Sequence, residues 1–301
     1  MEINRKQFIK SSFLLTGGIL LQGSSFFNLL DDPKNGIKKL RNNIGIYIEK
    51  GGTIGWYAGK DYSVVIDSQF PDSAKNFFDN FTKMSGGKID TLFNTHHHGD
   101  HTSGNVYLRD FTKTIVAHEN CKMLQEKMYG GNPDKPQKYP DITFVQDWEL
   151  DLKKEKVTAR YFAPAHTGGD SVIHFENANI AHLGDLVFNN TYPYIDNMGG
   201  GSIKYWIETL DMVYKRYDKD TLFIYGHAAS DDQVTGSRND IKRMKNYFEA
   251  LIDTVNKGVK AGKSKDDIAS GEIPGFNNLK ERWDGARKMN LERAYDELTK
   301  S

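Results

Sequence analysis

Four of the nine histidines in this 301-residue chain fall within six consecutive residues, in the run THHHGDH at positions 95–101. The segment just before it, residues 89–93 (IDTLF), is a short apolar run that predicts a buried strand. Side chains two residues apart in an extended segment point the same way, so His96 and His98 can face one ion together. A chain with this run therefore has to fold so that the end of a buried strand delivers several metal-binding side chains to one place.

The second half of the run points to a second ion. Gly99 allows the backbone to turn, and Asp100 and His101 then lie where a helix starts, directed toward a second point nearby. Imidazole and carboxylate are ligands that suit zinc, and two such sites can share one hydroxide. Histidine runs also occur as solvated loops, but four histidines and an aspartate at this spacing favour a metal site.

Three further positions extend the pattern downstream. His166 lies in the segment AHTGGD at 165–170, Asp185 ends the segment LGD at 183–185, and His227 follows a glycine in YGH at 225–227. Each of them follows a strand-like run. Because the ends of neighbouring strands meet at one edge of a sheet, these residues are candidates to complete the site begun by the histidine run.

The His-x-His-x-Asp-His pattern, followed by His, Asp and His in this order, resembles the metallo-β-lactamase superfamily over residues 44 to 251. His97 falls on a variable position of that pattern, and Ala228 stands where many relatives have glycine. The resemblance implies the following ligands: His96, His98 and His166 for a first metal, Asp100, His101 and His227 for a second, and Asp185 bridging both.

The resemblance also implies a reaction. The expected protein is a zinc-dependent hydrolase with two Zn²⁺ per chain, in which a metal-bound hydroxide attacks an ester, thioester, lactone or β-lactam carbonyl. Asp100 is the expected catalytic residue, because it can both ligate and orient the hydroxide. His98 stands where many diiron redox relatives have glutamate, and Asp185 stands where one subclass of β-lactamases has cysteine. The alternatives are a metal-binding protein without turnover and a redox or phosphodiesterase member of the superfamily.

The composition limits the kinds of partner that the chain is expected to bind. The chain has 40 acidic and 40 basic residues, which gives no electrostatic case for binding nucleic acid. Its single cysteine, Cys121, excludes an internal disulfide framework and a thiolate metal cluster. A small-molecule substrate is the expected partner, and the sequence carries no signal for an oligomeric state.

Residues 1–30 have the order of an export signal: a basic start, an apolar stretch from Phe13 to Leu21, and small residues after it. Arg5 and Lys6 resemble a twin-arginine signal with the second arginine replaced by lysine. An ordinary secretory signal or an uncleaved anchor remain alternatives. The apolar stretch is too short to span a bilayer stably, so we expect an exported protein, periplasmic or extracellular, without a stable membrane span after signal removal.

The remaining pattern predicts a layered α/β fold. Residues 31–43 are polar and are predicted to be a linker, and strands and helices alternate from residue 44 onward. Together with the resemblance, this pattern predicts a four-layer αββα sandwich over residues 44–260 with the metals at its edge. Residues 261–301 are predicted to be a helical extension packed on the domain. Two loops, 129–141 and 186–203, can line a cleft, although surface exposure and packing within the loop are equally good explanations.

Overall fold

Two β-sheets stack face to face in the computed structural model, which describes residues 36–299. The first sheet contains seven strands that follow one another in chain order. They are β1 (Ile37–Arg41), β2 (Ile44–Tyr47), β3 (Ile54–Ala58), β4 (Ser63–Ile66), β5 (Ile89–Asn94), β6 (Thr112–His118) and β7 (Ile142–Phe144). Neighbouring strands are antiparallel from β1 to β4 and parallel from β4 to β7.

The second half of the chain supplies eight more strands. They are β8 (Asp147–Asp151), β9 (Lys156–Tyr161), β10 (Ser171–Phe175), β11 (Ile180–His182), β12 (Phe188–Asn189), β13 (Leu222–Ile224), β14 (His227–Ala228) and β15 (Thr235–Gly236). Six of them form a sheet in the order β15-β13-β11-β10-β9-β8, and β12 pairs with β14 in a short parallel ribbon. Within the larger sheet only β11 and β13 are parallel.

Helices connect these strands and cover them. They are α1 (Pro71–Ser85), α2 (Gly99–Thr102), α3 (Asn105–Leu108), α4 (Glu119–Tyr129), α5 (Ile203–Arg216), α6 (Arg238–Lys260), α7 (Lys265–Ala269) and α8 (Ala286–Thr299). Three 3₁₀ turns are also present, at Arg109–Phe111, Gly184–Leu186 and Asp231–Gln233.

The outer face of the first sheet is covered by helix α1. Along β4 the side chains alternate: Val65 packs with Phe77 and Phe81 of α1, whereas Val64 and Ile66 belong to the core between the two sheets. This alternation is what a strand buried on both faces requires, since successive side chains point to opposite sides. The first sheet therefore has a helix layer on one side and the second sheet on the other.

The second sheet repeats the arrangement. Phe223 of β13 packs with Trp206 of α5 and Phe248 of α6, while the next residue, Ile224, faces the core between the sheets. The order of layers is thus helix, sheet, sheet, helix. The four-layer αββα sandwich predicted from the sequence is confirmed.

The beginning of the sheet differs from the prediction. Residues 37–41, predicted to belong to a polar linker over 31–43, form the edge strand β1, which pairs with β2 through a turn at Asn42. An edge strand buries few of its side chains, and here Ile37 alone is fully buried, so the segment looks polar in sequence. The predicted export signal over residues 1–30 lies outside the described residues. No helix between residues 36 and 299 is long and apolar enough to cross a bilayer.

The last helix is joined to the domain by a carboxylate. Glu297 of α8 accepts hydrogen bonds from the backbone N–H of Ile203 and from the Ser202 hydroxyl, at 2.9 and 2.8 Å. These two groups lie at the start of α5, where helix N–H groups lack partners within the helix and favour negative charge. The contact ties α8 to the loop that precedes α5.

Candidate metal centre

Three histidines from two distant segments meet at one point. Nε2 of His96 lies 3.1 Å from Nδ1 of His98, and Nε2 of His166 lies 2.9 Å from the same Nδ1. His96 and His98 follow the end of β5, and His166 lies in the loop between β9 and β10. His96 and His166 are fully buried.

In each of these three rings, the partner of the outer nitrogen shows which nitrogen carries the proton. Nδ1 of His166 is 2.7 Å from the carbonyl oxygen of Tyr194, and Nε2 of His98 is 2.9 Å from Oδ2 of Asp196. Both partners can only accept, so each of these nitrogens carries the proton. Nδ1 of His96 lies 3.1 Å from the Thr95 hydroxyl, whose own hydrogen is donated to Asp67, so this nitrogen is also the donor.

The three remaining nitrogens therefore present lone pairs to one another at about hydrogen-bond distance. Such an arrangement is repulsive unless a cation lies between the rings. Burial lowers the pKa of His166 to about 3 and lowers the pKa of His96 well below its ordinary value, so both rings stay neutral at neutral pH. Neutral imidazole with its second N–H anchored is the usual form of a histidine that binds a metal.

A second cluster lies beside the first. Nε2 of His227 is 3.0 Å from Oδ2 of Asp100, and Nε2 of His101 is 3.7 Å from the same oxygen. Nδ1 of His101 is 2.7 Å from Oδ2 of Asp67, which fixes that nitrogen as the donor. Asp100 and His101 belong to the first turn after the histidine run, and His227 follows β13 in the second sheet.

Asp185 lies between the two clusters. Its Oδ2 is 3.5 Å from Nε2 of His166 and 3.4 Å from Nε2 of His227, and its Oδ1 is 3.2 Å from Nε2 of His101. Nε2 of His101 and Oδ1 of Asp185 are both buried without a hydrogen-bond partner. One carboxylate thus faces ligand atoms of both groups, as a bridging ligand would.

The charges around His101 call for a cation at the same place. Burial disfavours the charged ring, but the carboxylates of Asp185, Asp100 and Asp67 raise the pKa of His101 well above its ordinary value. Burial also opposes ionisation of Asp185, yet His227 and His101 hold its pKa well below the usual range. A positive charge between these groups, whether a proton or a metal ion, satisfies the two buried atoms that lack partners. The residues present therefore fit a metal centre.

The structure brings all seven sequence-predicted ligands into these two adjacent groups. Ligand atoms within 4.8 Å of one another define one group of His96, His98, His166 and Asp185 and another of Asp100, His101 and His227. The donors are imidazole and carboxylate, with no thiolate, a set that suits zinc.

Asp67 was expected from the resemblance to support the site without being a ligand, but Asp196, which orients His98, was not predicted. Asp196 accepts the hydrogen bond from His98 through Oδ2, and its Oδ1 accepts from the backbone N–H of Gly199 at 2.9 Å. Although burial opposes ionisation, the hydrogen bond from His98 lowers the pKa of Asp196 to about 2, so it is a carboxylate at neutral pH. His97, left out as a variable position, is fully buried, with Nε2 3.6 Å from Oδ2 of Asp196. A usable signal was the Asp-x-x-Gly spacing, which favours a local side-chain-to-backbone turn.

A cavity of about 410 Å³ opens onto both groups. Its walls contain Met128 and Tyr129 from the end of α4 and Phe188, Tyr194 and Met198 from the loop before α5. Of the two loops predicted as cleft walls, 186–203 therefore contributes several side chains, and 129–141 contributes only Tyr129. Arg282 and Trp283, from the C-terminal extension, complete the lining. The extension was predicted to pack on the domain, and its contribution to the cavity was not predicted.

Comparison with known proteins agrees with this geometry. The family model described as the metallo-beta-lactamase superfamily matches residues 48–227, a range that contains all seven ligand candidates. A hydroxyacylglutathione hydrolase of Synechocystis sp. is 27% identical over 132 residues, covering 44% of this chain and 46% of that protein. A metallo-beta-lactamase type 2 of Bacteroides fragilis is 21% identical over 230 residues, covering 73% of this chain and 88% of that protein. The match thus spans less than half the length of the hydroxyacylglutathione hydrolase.

Solved structures share the fold. A metallo-beta-lactamase from Pontibacter korlensis superposes with a TM-score of 0.60 at 16% identity, covering 70% of this chain and 97% of that one. A sec-alkylsulfatase from Pseudomonas sp. superposes with a TM-score of 0.68 at 12% identity, covering 87% of this chain and 50% of that one. At these identities the likeness establishes the architecture.

Proposed function

The chain belongs to the metallo-β-lactamase superfamily, and we propose that it is an exported hydrolase that holds two zinc ions and cleaves an ester, thioester, lactone or β-lactam at the carbonyl carbon. One observation carries the proposal. His96, His98 and His166 each donate their outer N–H to a fixed acceptor and turn the opposite lone pair toward a common point. A protein with no metal to bind has no physical reason to keep three buried lone pairs opposed.

The ligand set supports zinc over harder cations. Magnesium and calcium prefer oxygen ligands, whereas zinc accepts imidazole nitrogen together with carboxylate. Here three imidazoles meet at the first position, and two imidazoles with Asp100 meet at the second. Asp185, with an oxygen toward each group, can hold two ions close enough to share one water.

When bound, two such ions lower the pKa of water to near 7 and stabilise negative charge on a carbonyl oxygen. The residues of this chain then position the reactants. Asp100 lines the cavity with its carboxylate partly exposed, so it can accept a hydrogen bond from the attacking water. His101 and His227 keep the pKa of Asp100 low although burial opposes ionisation, so it is available as an acceptor at neutral pH.

Tyr129 lines the same cavity and can assist there. Its hydroxyl oxygen accepts a hydrogen bond from the backbone N–H of Gly99 at 3.2 Å, and no acceptor within residues 36–299 takes its hydrogen. The hydroxyl can therefore donate to an oxygen of the substrate or of the leaving group. Burial raises the pKa of Tyr129, which keeps the hydroxyl protonated.

Relatives bear on the choice of substrate. The similar proteins named hydroxyacylglutathione hydrolase and metallo-beta-lactamase type 2 suggest a thioester or a β-lactam. Asp185 at the shared position favours the thioester and lactone branch, because one subclass of β-lactamases has cysteine there. The cavity is small enough to select compounds of ordinary metabolite size.

Export is proposed from the order of basic, apolar and small residues before position 31. Replacing Arg5 and Lys6 by glutamine should trap precursor inside the cell, as measured by fractionation and immunoblotting. Unchanged export of that variant would argue against the twin-arginine route.

The function is tested with zinc-loaded protein and a panel containing a cephalosporin, a thioester, a lactone and a phosphodiester. We expect turnover of at least one carbonyl substrate, loss of that turnover in His166→Ala, and retention in the matched variant His174→Ala. His174 faces a separate depression on the second sheet, so it controls for the loss of an imidazole. Failure of every carbonyl substrate with two zinc ions bound would contradict the proposal, and iron in place of zinc would favour the redox alternative.

A further inference from the structure

The C-terminal extension contributes an arginine and a tryptophan to the cavity of the metal centre. Arg282 and Trp283 line the same space as Asp100, His166 and Asp185. They lie 55 and 56 residues beyond His227 along the chain and outside the range that the family model matches. What they recognise is therefore a property of this extension rather than of the metal-binding core.

Lys280, two residues before Arg282, is hydrogen-bonded to the loop at residues 190–192. The backbone N–H of Lys280 donates to the carbonyl oxygen of Asn190 at 3.0 Å. Its own carbonyl oxygen accepts from the N–H of Tyr192 at 3.1 Å and from the Thr191 hydroxyl at 2.6 Å. Two residues later, Arg282 thus starts from a fixed backbone.

Trp283 continues the contact toward the metal centre. Its ring meets the ring of Tyr194 edge to face, with centroids 6.0 Å apart. The carbonyl oxygen of Tyr194 in turn accepts the hydrogen bond from His166. The extension therefore rests against the residue that orients a metal-ligand candidate, and the backbone on both sides of Arg282 is held beside the cavity.

Arg282 has no counterion of its own. No carboxylate within residues 36–299 forms an ion pair with its guanidinium. The acidic residues of the cavity are engaged elsewhere: Asp196 with His98, and Asp100 with His227. Arg282 is exposed and lines the mouth of the cavity. A guanidinium without an acidic partner there is suited to bind an anion, and its planar fork matches a carboxylate in two hydrogen bonds.

Apolar side chains also line the cavity. Those of Met128, Phe188, Tyr194, Met198 and Trp283 share it with Arg282 and the ligand candidates. A cavity of about 410 Å³ leaves room for one small organic molecule that touches both ends. The lining thus matches a compound with an apolar body, a carbonyl group at one end and an anion at the other.

We propose that Arg282 anchors a carboxylate of the substrate, so that the compound hydrolysed is an ester or thioester carrying a free carboxylate away from the scissile carbonyl. The inference rests on the proposed hydrolase function and adds the charge of the substrate. Arg282 contacts a part of the substrate that does not react. It therefore contributes equally to the ground state and the transition state, and acts on KM rather than on kcat.

The test compares matched substrates on zinc-loaded protein. 4-Acetoxybenzoate and 4-acetoxybenzamide place a carboxylate or a neutral amide on the leaving group, and a thioester of succinate and its methyl ester do the same on the acyl group. Arg282→Gln removes the charge, and Arg282→Lys keeps it without the planar fork. Lys288→Gln, at an exposed residue of α8 outside the cavity lining, controls for the loss of one nearby positive charge.

We expect Arg282→Gln to raise KM about tenfold for the carboxylate member of one pair, with kcat and the neutral member unchanged. Arg282→Lys should recover part of the loss, Lys288→Gln should change neither member, and added salt should shrink the difference. The pair that responds identifies which side of the scissile bond carries the carboxylate. Equal effects on both members of each pair, or no effect on either, would overturn the inference.

Absence of turnover would count against the proposed function and not against the anion site. In that case binding of 4-hydroxybenzoate and 4-hydroxybenzamide is measured by calorimetry. The inference requires the carboxylate to bind more tightly than the amide in the original protein and to lose about tenfold in affinity in Arg282→Gln. Equal affinity of the carboxylate for both proteins would refute it.

Discussion

Nδ1 of His101 donates a hydrogen bond to Oδ2 of Asp67 across 2.7 Å, and this contact leaves Nε2 of the ring free to face Asp185 and Asp100. The same Oδ2 accepts from the Thr95 hydroxyl at 2.8 Å, and that hydroxyl is the partner of Nδ1 of His96. One buried carboxylate therefore orients a histidine of each group. In the proposed two-metal site, Asp67 would orient ligands of both ions without being a ligand itself.

Asp67→Asn should exchange the donor and acceptor roles of the two ring nitrogens of His101. Oδ1 of Asp67 accepts from the backbone N–H of Thr95, so an amide would keep its oxygen there and turn its NH₂ toward His101. The ring would then accept at Nδ1 and carry its proton at Nε2, where it cannot bind a metal. We expect zinc affinity at the second position to fall about ten- to a hundredfold, with a smaller loss at the first.

The measurement is competitive zinc titration with a chromophoric chelator, alongside the midpoint of thermal unfolding without metal. Asparagine tolerates the left-handed backbone of position 67, where φ is 62°, so the fold should survive. Asp90→Asn is the matched control, because Asp90 is a buried aspartate that bonds the backbone N–H of Ser63 far from the metal ligands. Unchanged zinc affinity in Asp67→Asn would show that the contact with His101 has no influence on the site.

Gly52→Ala should disturb the same ring from the opposite side. A methyl group added at Gly52 would lie 2.2 Å from Cε1 and 2.5 Å from Nε2 of His101. His101 is fully buried, so the ring has little room to retreat. We expect the second zinc to bind at least about tenfold more weakly while the first is retained, which elemental analysis after dialysis would measure.

A glycine elsewhere provides the comparison. A methyl group at Gly271 would meet only the carbonyl oxygen of Ile268, at 3.0 Å, in the C-terminal extension. Gly271→Ala should therefore leave zinc stoichiometry unchanged. Two tightly held zinc ions in Gly52→Ala would mean that the ring can shift without losing its metal, contrary to the close packing seen around it.

The seven candidate ligands could be predicted from the sequence because few side chains bind zinc and because their order resembles that of the metallo-β-lactamase superfamily. The hydrogen-bond partners of His166 and His98 could not. Tyr194 acts on His166 through its backbone carbonyl oxygen, which every residue possesses, and Asp196 reaches His98 across 98 positions of the chain. Arg282 enters the cavity only through contacts of the extension with residues 190–192. These roles depend on tertiary packing, which no local pattern encodes.

Buried strands and edge strands also differed in how well the sequence predicted them. The buried strand predicted at 89–93 was found as Ile89–Asn94, whose side chains are buried on both faces. The edge strand Ile37–Arg41 was predicted to be linker, since one exposed face makes it polar. A strand is therefore easier to predict from sequence when both of its faces are buried.

Removing metal should lower the free energy of unfolding. A ligand that binds only the folded state stabilises it by about 3 to 4 kcal/mol at concentrations 100 to 1,000 times its dissociation constant. For a domain of this size the thermal midpoint should then fall by roughly 5–15 °C on chelation. Scanning calorimetry with chelator, then with zinc restored, would measure the shift.

Two further measurements belong to that experiment. Elemental analysis should give two zinc ions per chain, and magnesium at the same concentration should restore little stability because it prefers oxygen ligands. One zinc ion or fewer after supplementation, or equal midpoints with and without chelator, would contradict a two-metal site.

Asp185→Asn separates a two-metal site from a one-metal site. The carboxylate turns Oδ2 toward His166 and His227 and Oδ1 toward His101, so it can bind one ion with each oxygen. An amide has nearly the same shape, but it is neutral and its nitrogen cannot bind a metal. The first zinc, held by three imidazoles, should remain, whereas the second should weaken strongly because Asp100 is then its only anionic ligand. Hydrolysis should fall by at least about a hundredfold.

Metal stoichiometry and turnover are measured together, with Asp90→Asn as the control. Retention of both metals and near-normal turnover in Asp185→Asn would show that Asp185 is not the bridge.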